Sequence, residues 1–139
     1  MACMQELWYN LQHVVVAYVL TLLVGWESER EDRTAGIRTF PIVGMASCGF
    51  LLLFGAQPHS DDQSRLLQGL ITGIGFIGGG AILREGATVR GTATAASVWN
   101  AGVIGAAVAM NHYGTAVALA VLNLITLRAL LPLKRRLDQ

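Results

Sequence analysis

The sequence predicts an all-α protein, a polytopic membrane bundle of five transmembrane helices with its N-terminus outside and its C-terminus in the cytoplasm. Three observations predict it. The 139 residues are 53% hydrophobic and 14% charged, with a mean hydropathy of +0.50, where soluble domains carry about 25% charge. Five long apolar stretches, Leu7–Gly25, Thr39–Ala56, Leu66–Leu83, Thr92–Met110 and Thr115–Leu133, enclose a single charged residue, Arg128. Placing five spans in sequence puts Arg30, Arg33, Arg38, Arg84, Arg90, Arg128, Lys134, Arg135 and Arg136 on one side and leaves Arg65 alone on the other. Cytoplasmic loops carry such an excess. Disorder, coiled coil and collagen are excluded by this composition, and the length suits one domain over residues 1–139.

Each span follows from length and solvent. Eighteen helical residues reach about 27 Å, most of a hydrocarbon core, and a helix satisfies its own backbone groups in lipid. The first span is expected to stay rather than be cleaved as a signal. No Lys or Arg precedes it, and it exceeds an h-region in length. The connectors are short, Gln57–Arg65 and Asn111–Gly114 outside, Trp26–Arg38 and Arg84–Gly91 inside. Trp8, Tyr9 and Tyr113 fall at the outer interface and Trp26 at the inner one. Arg128, about 9 Å of helix before Lys134, can snorkel inward. Cys3 and Cys48 differ in depth and are expected to be separate thiols. His13, His59 and His112 are scattered and suggest no relay.

Span 3 contains Gly73-Ile-Gly75-Phe-Ile-Gly78-Gly79-Gly80. Its formal G-x-G-x-x-G lacks the flanking strand and the water that a nucleotide site needs. Two membrane readings stay open. Gly69/Gly73 and Gly75/Gly79 are small-xxx-small pairs that admit a second helix. Alternatively, Gly78–Gly80 break the third helix around a site.

Span 4 opens with Thr92-Ala-Thr-Ala-Ala-Ser-Val-Trp-Asn100, placing Thr94 and Ser97 near one face. Asn100 and Asn123 lie at depths that differ by roughly 3 Å. They read either as interhelical glue or, with Thr94 and Ser97, as the lining of a solute path.

The first inner connector, Glu27-Ser-Glu-Arg-Glu-Asp-Arg33, allows helix-surface ion pairs Glu27–Arg30 and Glu29–Arg33. Magnesium held by Glu27, Glu31 and Asp32 is the sharper option, opposed by the interleaved arginines, and no metal is assigned. Glu85, beside the glycine run at the membrane edge, is a functional candidate or an interfacial ion-pair partner. Glu27 and Glu85 are each expected to pair with Arg30, Arg38, Arg84 or Arg90. At least one link should cross between the inner hairpins, Glu27–Arg90 or Glu85–Arg38.

Three ordered motifs carry a resemblance. Gly25-x-Glu27 with Arg30, Arg33 and Ala35-Gly-Ile-Arg-Thr39 is similar to the first signature of the MgtC/SapB family of bacterial membrane proteins. Gly73 through Gly86 resembles its second, and Val89-Arg-Gly-Thr-Ala-Thr-Ala-Ala-Ser-Val-Trp99 its third. The resemblance implies a bacterial inner-membrane protein of about five helices, linked to magnesium limitation, intracellular survival and membrane energetics. It maps functional positions onto Glu27, Arg38, Glu85, Arg90 and the start of span 4. Departures fall at Ser28, Glu31, Ala93 and Asn100. Longer members add a soluble C-terminal domain, which is not expected within residues 1–139.

Two functions are therefore expected. The first is a small transporter or ion-handling protein for magnesium or membrane-energy homeostasis, with a path between spans 2, 3 and 4. The alternative is a regulator that binds another membrane complex through small-residue helix faces. A polar cavity reaching the midplane favours transport, and dry packing favours regulation. The glycine and alanine surplus also predicts a homo-oligomer, expected as a dimer in the lipid bilayer. No enzyme activity, cofactor or nucleic-acid partner is expected.

Overall fold

In the computed structural model of the chain, residues 2–31, 35–54, 60–86 and 88–137 are described, the side chains of residues 2, 31, 60, 61, 85 and 131–137 excepted. Among these residues each predicted span falls on a helix. Helix α1 covers Ala2–Glu31, α2 Thr39–Phe54, α3 Ser60–Gly80, α4 Thr92–Ala109 and α5 Tyr113–Leu137. Helices α1, α4 and α5 each contain a stretch long and apolar enough to cross a membrane, and α2 is a shorter apolar helix. The result is an all-α membrane bundle.

Span 3 is displaced from its expected limits. Helix α3 starts six residues before Leu66, at Ser60, and ends at Gly80. It stays helical through Gly78–Gly80 and is released immediately afterwards. Ala81 N–H donates to the Gly78 carbonyl (3.0 Å) and Ile82 N–H to that of Gly79 (3.2 Å), a tightened last turn. Beyond it the connector is an antiparallel ribbon, β1 (Leu83–Glu85) against β2 (Thr88–Arg90), with Leu83 opposite Arg90 and Arg84 opposite Val89. The ribbon was not foreseen, because three-residue strands give no periodic signal. At the other end, Asn111 takes φ 61° and closes α4. Its N–H donates to Val108 O (3.0 Å), and that of His112 to Ala107 O (2.8 Å), the paired bonds of a Schellman turn.

Helix α4 is the hub. It packs against α1, α2, α3 and α5, whereas α3 leans on α4 and only marginally on α2. The contacts are close because glycines remove side chains where helices meet. A Cβ at Gly105 would strike the carbonyl oxygen of Gly44 on α2, and one at Gly102 would strike Ile74 of α3. A Cβ at Gly44 would lie 2.6 Å from the Thr21 hydroxyl of α1, and one at Gly25 2.9 Å from Phe40 Cβ. Polar side chains lie within this core: Thr21, Ser28, Ser47, Thr94 and Ser97 are buried. Large apolar side chains, including Trp8, Leu53, Phe76 and Leu122, are exposed on the outside. That inversion suits a hydrocarbon solvent, where backbones approach over small residues and polar groups serve as glue.

Candidate functional site

The end of the bundle that carries the arginines is built from the α1–α2 connector, the ribbon and the last turns of α1 and α5. Glu27 does pair with an arginine, but its partner is Arg128 of α5 (Nε–Oε1 3.2 Å), not an arginine of the hairpins. The reason is helix geometry. Helix α1 packs on α5, so an acid ending one apolar stretch meets the single cation within the other. Arg128 thus reaches a carboxylate instead of only snorkelling to solvent. Its side chain is 69% exposed and that of Glu27 17%. Glu27→Gln is therefore expected to cost less than about 1 kcal/mol, as read by denaturant titration in micelles.

The arginine expectations resolve unevenly. Arg30, Arg38 and Arg90 are exposed, and no ion pair is recorded for them among the described residues. Arg30 lines a shallow cleft with Trp26, Glu29 and Ile37. Arg84 Nε donates to Gly86 O (3.2 Å). The crossed link Glu27–Arg90 does not form. The Glu85 side chain lies outside the described residues, as do Asp32, Arg33 and the side chain of Glu31. Among the described residues no group of three His, Cys, Asp or Glu gathers for a metal ion.

Two side chains for which the sequence suggests other roles close the first connector. Ser28 is buried and donates to Ala35 O (3.1 Å). Glu29 Oε2 accepts from Ile37 N–H (3.2 Å) and lies where a Cβ on Gly36 would be. Only the helix phase of α1 distinguishes Glu29 from its acidic neighbours. Ser28 occupies a packed position that a larger side chain would not fit.

The α4–α5 seam holds three of the four predicted lining residues, Ser97, Asn100 and Asn123, and Thr94 does not border its groove. Thr94 and Ser97 are buried. Ser97 Oγ donates to Asn123 Oδ1 (2.9 Å), and Asn100 Nδ2 to the Leu119 carbonyl (3.3 Å). The two asparagines do not bond each other, although their depths match. Asn123 Nδ2 is buried without a partner among the described residues. A groove of about 280 Å³ opens here, bordered by Ser97, Asn100, Asn123 and Thr126. The expected route between α2, α3 and α4 is different in character. Between α2 and α4, Gly44 and Gly105 meet backbone to backbone. The groove between α2 and α3 is bordered by apolar and small residues with Ser47.

The glycine run divides in the same manner. Gly78 packs on α4, its Cβ position 3.0 Å from the Ala95 carbonyl. Gly69, Gly73, Gly75, Gly79 and Gly80 face open space, and neighbouring Phe76 is 86% exposed. Cys3 and Cys48 are both free thiols. His13, by contrast, is buried and bonded to Asn111 and Tyr113, partners that a scan of histidine spacing could not reveal.

Comparison with known proteins follows the same stretch of chain. The sequence profile of the MgtC family matches residues 14–136. The chain is 33% identical over 124 residues to an uncharacterised protein of Synechocystis, covering 89% of this chain and 53% of that one. It is 32% identical over 127 residues to protein MgtC of Salmonella typhimurium, covering 91% and 54%. It is 32% identical over 102 residues to protein MgtC of Brucella abortus, covering 70% and 43%. The chain spans about half the length of the curated relatives it matches. No solved structure matches it.

Proposed function

Since the chain belongs to the MgtC family, we propose that it is a multi-pass inner-membrane protein, N-terminus out, that acts by docking its helices on others in the bilayer. It would form a dimer and regulate a second membrane complex, rather than carry a solute through its own bundle. The observation that carries this reading is the division of the glycines. Gly44 of α2 and Gly102 and Gly105 of α4 are used up in close packing, while Gly69, Gly73, Gly75 and Gly79, like Gly49 of α2, meet nothing within the protomer and leave α3 open to a partner. A bundle whose α2–α4 contact is made backbone to backbone offers no room there for a hydrated solute. A role in magnesium or membrane-energy homeostasis, implied by the family resemblance, would then be exercised through the partner.

A flux screen in proteoliposomes with Mg²⁺, K⁺ and H⁺ tests this, with the expected result of no flux above empty vesicles. A flux that disappears in Glu85→Gln overturns it and restores the carrier. Self-association is tested separately. A Cβ at Gly73 meets nothing within the protomer, so Gly73→Leu should fold normally yet dimerise about tenfold more weakly, a loss of about 1.4 kcal/mol. Mass measurement in mild detergent reads the difference.

The transport reading keeps one specific support. The open polar groove at Ser97, Asn100 and Asn123, with its unpartnered amide, suits a hydrated track completed between two copies.

A further inference from the structure

At the end of the bundle opposite the arginines, His13 is 2% exposed. Its ring lies between two tyrosines, with centroids 4.1 Å from Tyr9 and 5.6 Å from Tyr113. Nδ1 is 2.8 Å from the Tyr9 carbonyl oxygen. A carbonyl only accepts, so Nδ1 carries a proton. Nε2 is 3.0 Å from Asn111 Oδ1 and 2.7 Å from the Tyr113 hydroxyl. Asn111 Nδ2 in turn donates to the Tyr9 hydroxyl (2.9 Å). The cluster joins α1 to the turn between α4 and α5.

The donor and acceptor inventory allows two complete arrangements. With both ring nitrogens protonated, Nε2–H donates to Asn111 Oδ1, and the Asn111 amide donates to the Tyr9 hydroxyl. With Nε2 bare, Tyr113 O–H donates to it, and Asn111 must turn its amide so that Nδ2 faces the ring. Oδ1 then accepts from the Tyr9 hydroxyl. In each state both buried ring nitrogens have a partner, and the polar groups of the exposed Asn111 and Tyr113 left over are open to solvent, so proton uptake redirects the bonds without orphaning a buried polar atom.

We propose that His13 is a proton-binding site serving the compartment at this end of the bundle. Its occupancy sets the direction of the hydrogen bonds that tie α1 to the α4–α5 turn. Binding forms one Nε2–H bond with a proton from solvent and breaks no covalent bond. The change is passed to the Tyr9 hydroxyl. Tyr9 also borders a crevice of about 520 Å³ with Glu6, Asn10 and Gln63, so the switch is readable from outside the core.

The surrounding groups set the electrostatics. On α1 the titratable neighbours are Tyr9 and, two turns from His13, Glu6. At the turn and the start of α5 they are His112 and Tyr113. Helix α2 contributes Cys48, and the sequence of α4 contains no titratable side chain. No carboxylate bonds the ring, so the proton is held by neutral dipoles, which can turn over when it leaves.

The test uses the full chain in lipid nanodiscs with ¹⁵N-labelled histidine, followed from about pH 5 to 8, where histidines ordinarily change charge. Signals are assigned by His13→Gln, or by His59→Gln and His112→Gln if the first variant does not fold. The expected neutral form of His13 carries its proton on Nδ1. The Asn111 side-chain amide should change together with the ring, and in Asn111→Ala the Tyr9 signal should no longer follow protonation of the ring. A neutral ring protonated on Nε2, an Asn111 amide indifferent to pH, or a Tyr9 signal that still follows the ring in Asn111→Ala would each overturn the proposal. None of these outcomes depends on whether the protein docks or transports.

Discussion

Gly91→Ala is expected to destabilise the bundle by about 2–5 kcal/mol, the larger of the two strongest effects foreseen. Two costs add. Gly91 has φ +81°, where an L side chain crowds its own carbonyl by about 1–2 kcal/mol. The new Cβ would also run into the Ala81 carbonyl oxygen, in the turn that ends α3. Overpacking of that kind costs about 1–3 kcal/mol. Gly91 is the N-cap of α4, and its carbonyl accepts the first-turn N–H of Ala95 (2.8 Å). Moving it loosens the hub helix where it begins. Gly86 is the comparison. It has φ +62° but open space around it, so Gly86→Ala should lose only the conformational part, about 1–2 kcal/mol. Denaturant titration in micelles, with hydrogen exchange at Ala95, separates the two. Equal losses at both positions would remove the collision from the account.

Gly105→Ala is expected to cost about 1–3 kcal/mol by forcing α2 and α4 apart. Its Cβ has only the Gly44 carbonyl ahead of it, and backbone cannot rotate away as a side chain can. The same substitution at Gly73 or Gly79 meets nothing. It should be neutral or mildly stabilising, because alanine is the better helix former by up to about 1 kcal/mol. Thermal unfolding of the three variants side by side gives the answer. A Gly105→Ala protein as stable as the parent would mean that the α2–α4 contact is looser than described.

The spans were legible because charge is confined to the gaps between them, and that pattern does not depend on how helices pack. The seam between α4 and α5 was legible because a four-residue turn fixes which helices are neighbours. What did not follow was azimuth. Asn100 and Asn123 share a depth, yet their side chains select Leu119 O and Ser97. Glu27 stands at the level of several arginines but faces Arg128, because α1 lies against α5. The glycine-rich segment drew attention by density. The glycines at close helix contacts, Gly44, Gly102 and Gly105, are scattered singly and show themselves only once partners are placed. His13 escaped for the same reason, its partners Asn111 and Tyr113 lying about a hundred residues away. The side chain of Glu85 lies outside the described residues.

The hub position of α4 imposes an order on biogenesis. A chain entering the membrane from its N-terminus delivers α1 and α2 first, and these already fit each other through Thr21 against Gly44 and Phe40 against Gly25. Helix α3 comes next, with almost nothing to hold, because its main neighbour has yet to be synthesised. It must wait in lipid or at the insertion machinery until α4 arrives. Gly102 then receives Ile74, and Gly105 meets Gly44, and the half-built bundle closes in one step. An insertion intermediate from which α3 has emerged and α4 has not is therefore a three-helix species whose third member is unanchored, the stage at which membrane quality control has most to seize.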